Sequence, residues 1–382
     1  MNVLELCLSA GLGGLELYVY RSSQALADSQ LNQNTVLAVL RQDSKLDQYY
    51  KQHSNFTTLY IKHFFSPLPY INARKLAAII DDNEIDVIHM HWGKDLPLAA
   101  FAKAFSKRKP ALVYTRQMMI TRAKNDFYHN FLYRQLDLML TITRELEGLC
   151  KKFIPSFADK ITTLYYGVKK PAEILADKDI QQQRDKLDFT KTDFIAGLIG
   201  RLEESKGQHL LIDAIHAAKQ NGHDIKALIV GHEMNVGYRD KLKNQASELG
   251  VLQNIVFQDF TSEPQQLMQL CDCVILASGR ETFGLVLPEA MRAGVAVIGS
   301  NSGGVPEIIH HDTTGLLFKT QDANSLYHQL ERLYLDAEFK NNLAQQGKQS
   351  ADQRFDNDIH FQKLENHLNS AIDNSKQYNK TL

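Results

Sequence analysis

Short apolar, β-rich runs alternate with longer amphipathic stretches along the whole chain, the pattern of parallel sheets covered by helices on both faces. Strands are predicted near residues 3–8, 35–40, 57–61, 85–90, 111–115, 138–142 and 161–164, and again near 194–199, 226–230, 255–257, 273–277, 296–299 and 316–318. Each half therefore reads as one α/β, doubly wound, Rossmann-like domain. Residues 165–192 contain Gly167, Pro171 and a charged, poorly patterned run. They predict a first domain over 1–167, a linker over 168–192 with a hinge near Gly167, and a second domain over 193–354. Over 355–382, Ile359, Phe361, Leu364, Leu368 and Ile372 recur at helical spacing, so a terminal helix is expected to cross back to the first domain. A ligand is expected in the cleft between the sheets, at the carboxyl ends of their strands.

Composition narrows the class. The 382 residues are 44% hydrophobic and 23% charged, enough for large cores and against disorder. No stretch reaches the roughly 18 apolar residues of a membrane span. The opening Met1-Asn2-Val3-Leu4-Glu5 lacks a basic segment and carries a glutamate, so it reads as a buried strand and not as a signal peptide. Cys7, Cys150, Cys271 and Cys273 lack the paired spacing of a zinc site, and cytoplasmic, reduced thiols are expected. The net charge of -1 hides an asymmetry: residues 1–170 hold 22 Lys and Arg against 15 Asp and Glu. Either this is scatter between solvated faces, or the basic half meets an anionic acceptor or lipid headgroup. Residues 98–110, with Lys103, Lys107, Arg108 and Lys109 beside Leu98, Phe101 and Phe105, fit two descriptions: an amphipathic helix on anionic lipid, or a sheet-covering helix with a basic end. Near-neutral charge and the lack of an aromatic-basic platform exclude a nucleic-acid binder.

Four segments carry candidate chemistry. Gly11-Leu12-Gly13-Gly14-Leu15-Glu16 follows the first strand; it offers backbone N–H groups to a phosphate, or is simply a tight strand-to-helix turn. As a dinucleotide fingerprint it fails, since Glu16 stands where the third glycine belongs. Arg201 and Lys206 lie five residues apart before a helix opening near Gln208. They suit either a diphosphate or pairing with Glu203 and Glu204. In 278–294, a loop with Glu281 leads through Phe283, Gly284 and Leu285 into a helix with Glu289. Glu281 can bond sugar hydroxyls and Glu289 a ribose; the alternatives are surface exposure and helix capping. Ser300-Asn301-Ser302-Gly303-Gly304-Val305-Pro306-Glu307 forms a second glycine-rich elbow.

Residues 197–318 closely resemble the retaining, group 1 (family 4) glycosyltransferases, the family of glycogen synthase and many bacterial envelope sugar transferases. The resemblance rests on E-x(7)-E at Glu281 and Glu289, with Phe283, Gly284, Pro288 and Gly294 in place, on Arg201 with Lys206, and on Gly303, Gly304 and Glu307. It continues more weakly through Gly13-Gly14-Leu15-Glu16, residues 86–92 and 165–168. It implies the two-domain GT-B fold and a nucleotide-diphosphate-sugar donor. Arg201 and Lys206 would then bind the diphosphate, Gly13, Gly14 and the amides of Phe283, Gly284 and Leu285 would help, and Glu281 and Glu289 would orient the sugar and the ribose. A glycan or glycolipid acceptor and retention at the anomeric carbon are implied as well. No Asp-x-Asp stands at a strand end, so no metal or cofactor is expected.

Where relatives place a histidine after the fifth strand, this chain has Gln117, which hydrogen-bonds but exchanges no proton. His91 is the nearest substitute, and His91, Arg116 and Gln117 are the acceptor-side candidates. Rival readings are an epimerase or phosphorylase on the same architecture, a nicotinamide-dependent oxidoreductase, and a catalytically silent nucleotide-sugar sensor.

Overall fold

The computed structural model describes residues 1–62 and 67–380, the side chains of 378–380 excepted. Its strands stand within two residues of the predicted runs. They are β1 (Asn2–Cys7), β2 (Thr35–Leu40), β3 (Thr57–Tyr60), β4 (Val87–Met90), β5 (Ala111–Arg116), β6 (Leu138–Thr141) and β7 (Ile161–Thr163). In the second half come β8 (Phe194–Ile199), β9 (Ile225–Val230), β10 (Ile255–Gln258), β11 (Cys273–Leu276), β12 (Ala296–Ser300) and β13 (Leu316–Phe318). Runs such as Phe194-Ile195-Ala196-Gly197-Leu198 are buried throughout because helices cover both faces of a parallel sheet.

The chain divides into two compact units. One is residues 1–165 with the C-terminal segment from Asp358, and the other is Tyr166–Asn357. In the first unit the strand order is β3-β2-β1-β4-β5-β6-β7, all parallel, and in the second it is β10-β9-β8-β11-β12-β13. Both orders reverse beside their first strand, at β1/β4 and at β8/β11. At such a reversal the connections leave in opposite directions, and a crevice opens at the carboxyl ends of the strands.

The terminal helix Asn357–Lys380 belongs from Asp358 onward to the first unit. Phe361, Leu364, Leu368 and Ile372 are buried as the spacing predicts, but Ile359 is exposed and His360 takes the inward position. His360 donates through Nδ1 to the Tyr165 carbonyl at 2.7 Å and accepts at Nε2 from the Tyr18 hydroxyl at 3.0 Å. Glu365 adds bonds to Ser29, Asn32 and Asn34. The stretch expected as a linker carries the helix Asp177–Lys186, which has no buried residue of its own. Arg184 of that helix nevertheless anchors it to the second unit through the Leu270 carbonyl and Asp272.

The helix Leu96–Phe105 packs as a sheet-covering element. Leu98 is buried, Lys103 pairs with Asp137 at 2.5 Å, and the Lys107 and Arg108 amides are held by Asp81. Of the basic end, the Arg108 side chain meets Asp86 at 3.3 Å, while Lys107 and Lys109 are exposed.

Candidate functional site

In the second unit, the loops leaving β8 and β11 meet at the point where the strand order reverses. After β8 the chain passes Arg201 and a single turn, Glu204–Lys206, and then turns at Gly207, whose φ is +75°. A Cβ on Gly207 would stand 2.3 Å from the Ala277 carbonyl oxygen. Only glycine lets the β8 loop come this close to the end of β11. The Gly279 amide donates to the Ser205 carbonyl at 3.2 Å and ties the two loops together. Lys206 Nζ thereby reaches Glu281 Oε2 at 2.7 Å, both side chains remaining about a fifth exposed. Two residues 75 positions apart, singled out for separate tasks, form one ion pair.

Arg201 stays half exposed and pairs with Glu203 at 3.0 Å, as the alternative for this loop foresaw. The structure therefore brings Lys206 to Glu281, while Arg201 sits on the rim of the same loop.

The elbow after β12 buttresses Glu281. Gly303 has φ +61°, and a Cβ there would lie 2.0 Å from the Glu281 carbonyl oxygen; the Gly304 amide donates to that same oxygen at 2.9 Å. Ser300 and Ser302 hydroxyls donate to the Ser278 and Gly279 carbonyls at 2.7 and 3.0 Å. The glycines of this elbow serve the loop that carries the carboxylate. Beyond it, Gly284 (φ +95°) turns the chain into the helix Val286–Arg292 with Leu285 at its N-cap. Phe283 is 2% exposed, its ring edge-on to Tyr166 and Phe355. Its side chain is core, so only its backbone is available to a ligand. Glu289 lies half-buried in the first turns of the helix.

Arg292 closes the same helix at 1% exposure and was not singled out in the sequence. It bonds Asp352 at 3.0 Å, Asp356 at 2.8 Å and the Val168 carbonyl, tying residues 168 and 352–356 to the site helix.

In the first unit, the loop Leu8 to Gly13 opens the helix Gly14–Ala27. Glu16, 9% exposed, accepts from Ser9 Oγ at 2.5 Å and from the Gly13 amide at 2.8 Å. The residue that broke the dinucleotide fingerprint is a capping carboxylate. Gly13 and Gly14 remain exposed, and nothing approaches the position of a Gly14 Cβ.

His91 is buried in a polar cluster the sequence reading did not foresee. Glu5 and His89 are register partners on β1 and β4. Glu5 accepts from His89 Nδ1 at 3.1 Å and His91 Nε2 at 2.5 Å, and His89 Nε2 meets Thr115 Oγ1 at 2.7 Å. Burial alone would raise the Glu5 pKa, but the two imidazoles outweigh it and hold the carboxylate well below its usual range. Burial, with His89 beside it, lowers His91 to about 4, so the ring is neutral and its Nδ1 has no partner. The three residues bring metal-ligand types of atom within 4.8 Å of one another, and hydrogen bonds among them satisfy the same geometry. Histidines at alternate positions 89 and 91, in and just after an apolar strand, were the available signal. Asp95 is fully buried nearby: it accepts from the Leu8 amide at 2.9 Å, and burial raises its pKa to about 7. Arg116 and Gln117, at the end of β5, are 9% and 7% exposed.

Comparison with known proteins gives the family and the fold. The family described as glycosyl transferases group 1 matches residues 179–350, and that described as glycosyltransferase family 4 matches 12–170. N-acetyl-alpha-D-glucosaminyl L-malate synthase of Bacillus anthracis is 25% identical over 297 residues, 76% of each chain. The N-acetylgalactosamine-N,N'-diacetylbacillosaminyl-diphospho-undecaprenol 4-alpha-N-acetylgalactosaminyltransferase of Campylobacter jejuni is 25% identical over 71% of this chain and 73% of its own. Among solved structures, Anabaena HepE in complex with UDP superposes with a TM-score of 0.81 at 24% identity, covering 97% of this chain and 100% of that one. A glycosyltransferase from Rickettsia africae gives 0.85 at 17% identity, covering 97% and 98%.

Proposed function

Because the chain belongs to the group 1, family 4 glycosyltransferases and is a hexosyltransferase, we propose that it moves a hexose from a nucleotide-diphosphate sugar to a hydroxyl of a glycan or glycolipid in cell-envelope synthesis. The observation that carries this reading is the Lys206–Glu281 pair at the carboxyl edge of β8 and β11. Each side chain holds the other where a ligand would draw them apart, Lys206 to the diphosphate and Glu281 to the sugar hydroxyls. Arg201 meets the diphosphate from the rim, amides of Gly284 and Leu285 add donors, and Glu289 takes the ribose.

In the transfer, the bond from the anomeric carbon to the diphosphate oxygen breaks and a bond to the acceptor oxygen forms on the same face. The acceptor proton passes to the departing phosphate. Negative charge grows on the leaving oxygens, and Lys206 and Arg201, once drawn to the diphosphate, stabilise it more in the transition state than in the ground state. On this reading Lys206 and Arg201 meet the leaving diphosphate directly and no metal ion takes part. The names of the two relatives support an anionic acceptor: one is named for L-malate, the other for a diphospho-undecaprenol-linked glycan. The four cysteines are free, buried thiols, which suits the cytoplasm.

The test is nucleotide release from UDP-, GDP- and ADP-sugars with an acceptor present. Lys206→Ala and Arg201→Ala are each expected to lower turnover tens-fold or more, about 2–4 kcal/mol of transition-state stabilisation. Near-normal rates in both would remove these roles.

A further inference from the structure

The first unit buries a cation with no counter-charge. Arg116 ends β5 at 9% exposure. Its Nη1 reaches the Tyr114 hydroxyl at 3.4 Å, its Nη2 the Met119 carbonyl at 3.2 Å, and the Tyr133 hydroxyl lies beside it; Nε has no partner. No carboxylate among the described residues pairs with it. A guanidinium taken out of water is strongly disfavoured unless an anion compensates it.

Its surroundings deepen the imbalance. Gln117 is 7% exposed, and neither its amide oxygen nor its amide nitrogen has a partner. Native folds leave few such groups, and each calls for a partner such as an ion or a water. Lys124 is half-buried, with Nζ 3.1 Å from His129 Nε2. Burial first, then the charges of Arg122 and Arg116, lower its pKa, so these three cations repel one another. The carboxylate closest to them in sequence, Asp126, is committed to His129 at 2.5 Å.

We propose that Arg116, with Gln117 and Lys124, binds an anionic group of the acceptor, so that the acceptor carries a phosphate or carboxylate. This rests on the transferase reading above and names the acceptor class for it. The guanidinium fork matches two oxygens of such a group, and the Gln117 amide nitrogen supplies a further donor. The anion replaces the missing counter-charge, so acceptors lacking one bind poorly.

The test uses the full chain carrying Arg201→Ala and Lys206→Ala, which removes the proposed donor-side cations and their own affinity for phosphate. Farnesyl diphosphate, L-malate and the neutral methyl glucoside are titrated calorimetrically, with and without Arg116→Met. At least one anion is expected to bind and to lose tenfold or more in affinity with Arg116→Met, while the glucoside gives no response. A response to the diphosphate alone assigns a phosphorylated acceptor, and to malate alone a carboxylate. Arg116→Lys keeps the charge and should retain part of the binding. Because Arg116→Met removes an uncompensated charge, its unliganded melting temperature should equal or exceed that of its parent. Binding by neither anion, unchanged binding in Arg116→Met, or a clear fall in its melting temperature each overturns the proposal. Failure of the transferase reading shows separately, as an unmutated chain that binds and turns over no nucleotide sugar.

Discussion

Gly303→Ala probes the claim that the second elbow exists to hold Glu281. The new methyl would stand 2.0 Å from the Glu281 carbonyl oxygen, and real Cβ atoms do not approach closer than 3.0 Å, so the two backbones must separate by about 1 Å. The obstacle is main chain, which has no rotamer to escape into. A non-glycine residue at φ +61° costs a further 1–2 kcal/mol or so. Stretching the 2.9 Å bond from the Gly304 amide to Glu281 forfeits about 1 kcal/mol more. A loss of about 2–4 kcal/mol in urea-monitored stability is expected. Because a 1 Å displacement of a positioned group costs on the order of a hundredfold in rate, nucleotide release should fall by about that factor. Gly14→Ala, where nothing lies within 4 Å of the added Cβ, serves as the control for a glycine-to-alanine change without a clash. A Gly303→Ala protein with stability and turnover both within twofold of the parent would refute the buttress.

Two further outcomes can be read without substrate. Arg292→Met leaves Asp352, Asp356 and the Val168 carbonyl without their shared donor, and since the two aspartates are part-exposed the cost should be about 2–3 kcal/mol in urea unfolding. Acidification should destabilise the first unit. His91 and His360 are lowered to about 4, mainly by burial, so the unfolded chain takes up protons below pH 6.5 while the folded one does not until about 4. Stability is therefore full above pH 6.5 and lost as pH falls toward 4, by about 2 kcal/mol per histidine at pH 5. Asp95, raised to about 7 by burial, acts in the opposite sense, losing stability as pH rises from about 4 to 7, and partly offsets the trend. His360→Phe should flatten the loss between pH 7 and pH 5; an unchanged slope would show that His360 is not buried neutral.

Local pattern determined the strands, the two doubly wound sheets and, from Phe361 onward, the inward face of the terminal helix, because burial on a parallel sheet or under a helix imposes a period that neighbouring residues must display. It also placed the site loops, since glycines at Gly207 and Gly284 and the acidic and basic residues beside them lie within single strand-to-helix turns. Tertiary structure alone decided what those residues do to one another. Lys206 meets Glu281 across 75 residues, Gly303 is glycine because of a carbonyl 22 positions upstream, and Glu5 collects histidines 84 and 86 residues away. No local period encodes such pairings, because they arise only when the sheets bring strand ends together. The same holds for Arg116: its sequence neighbours announce a cation, but only the packed first unit reveals that it is buried without an anion to balance it.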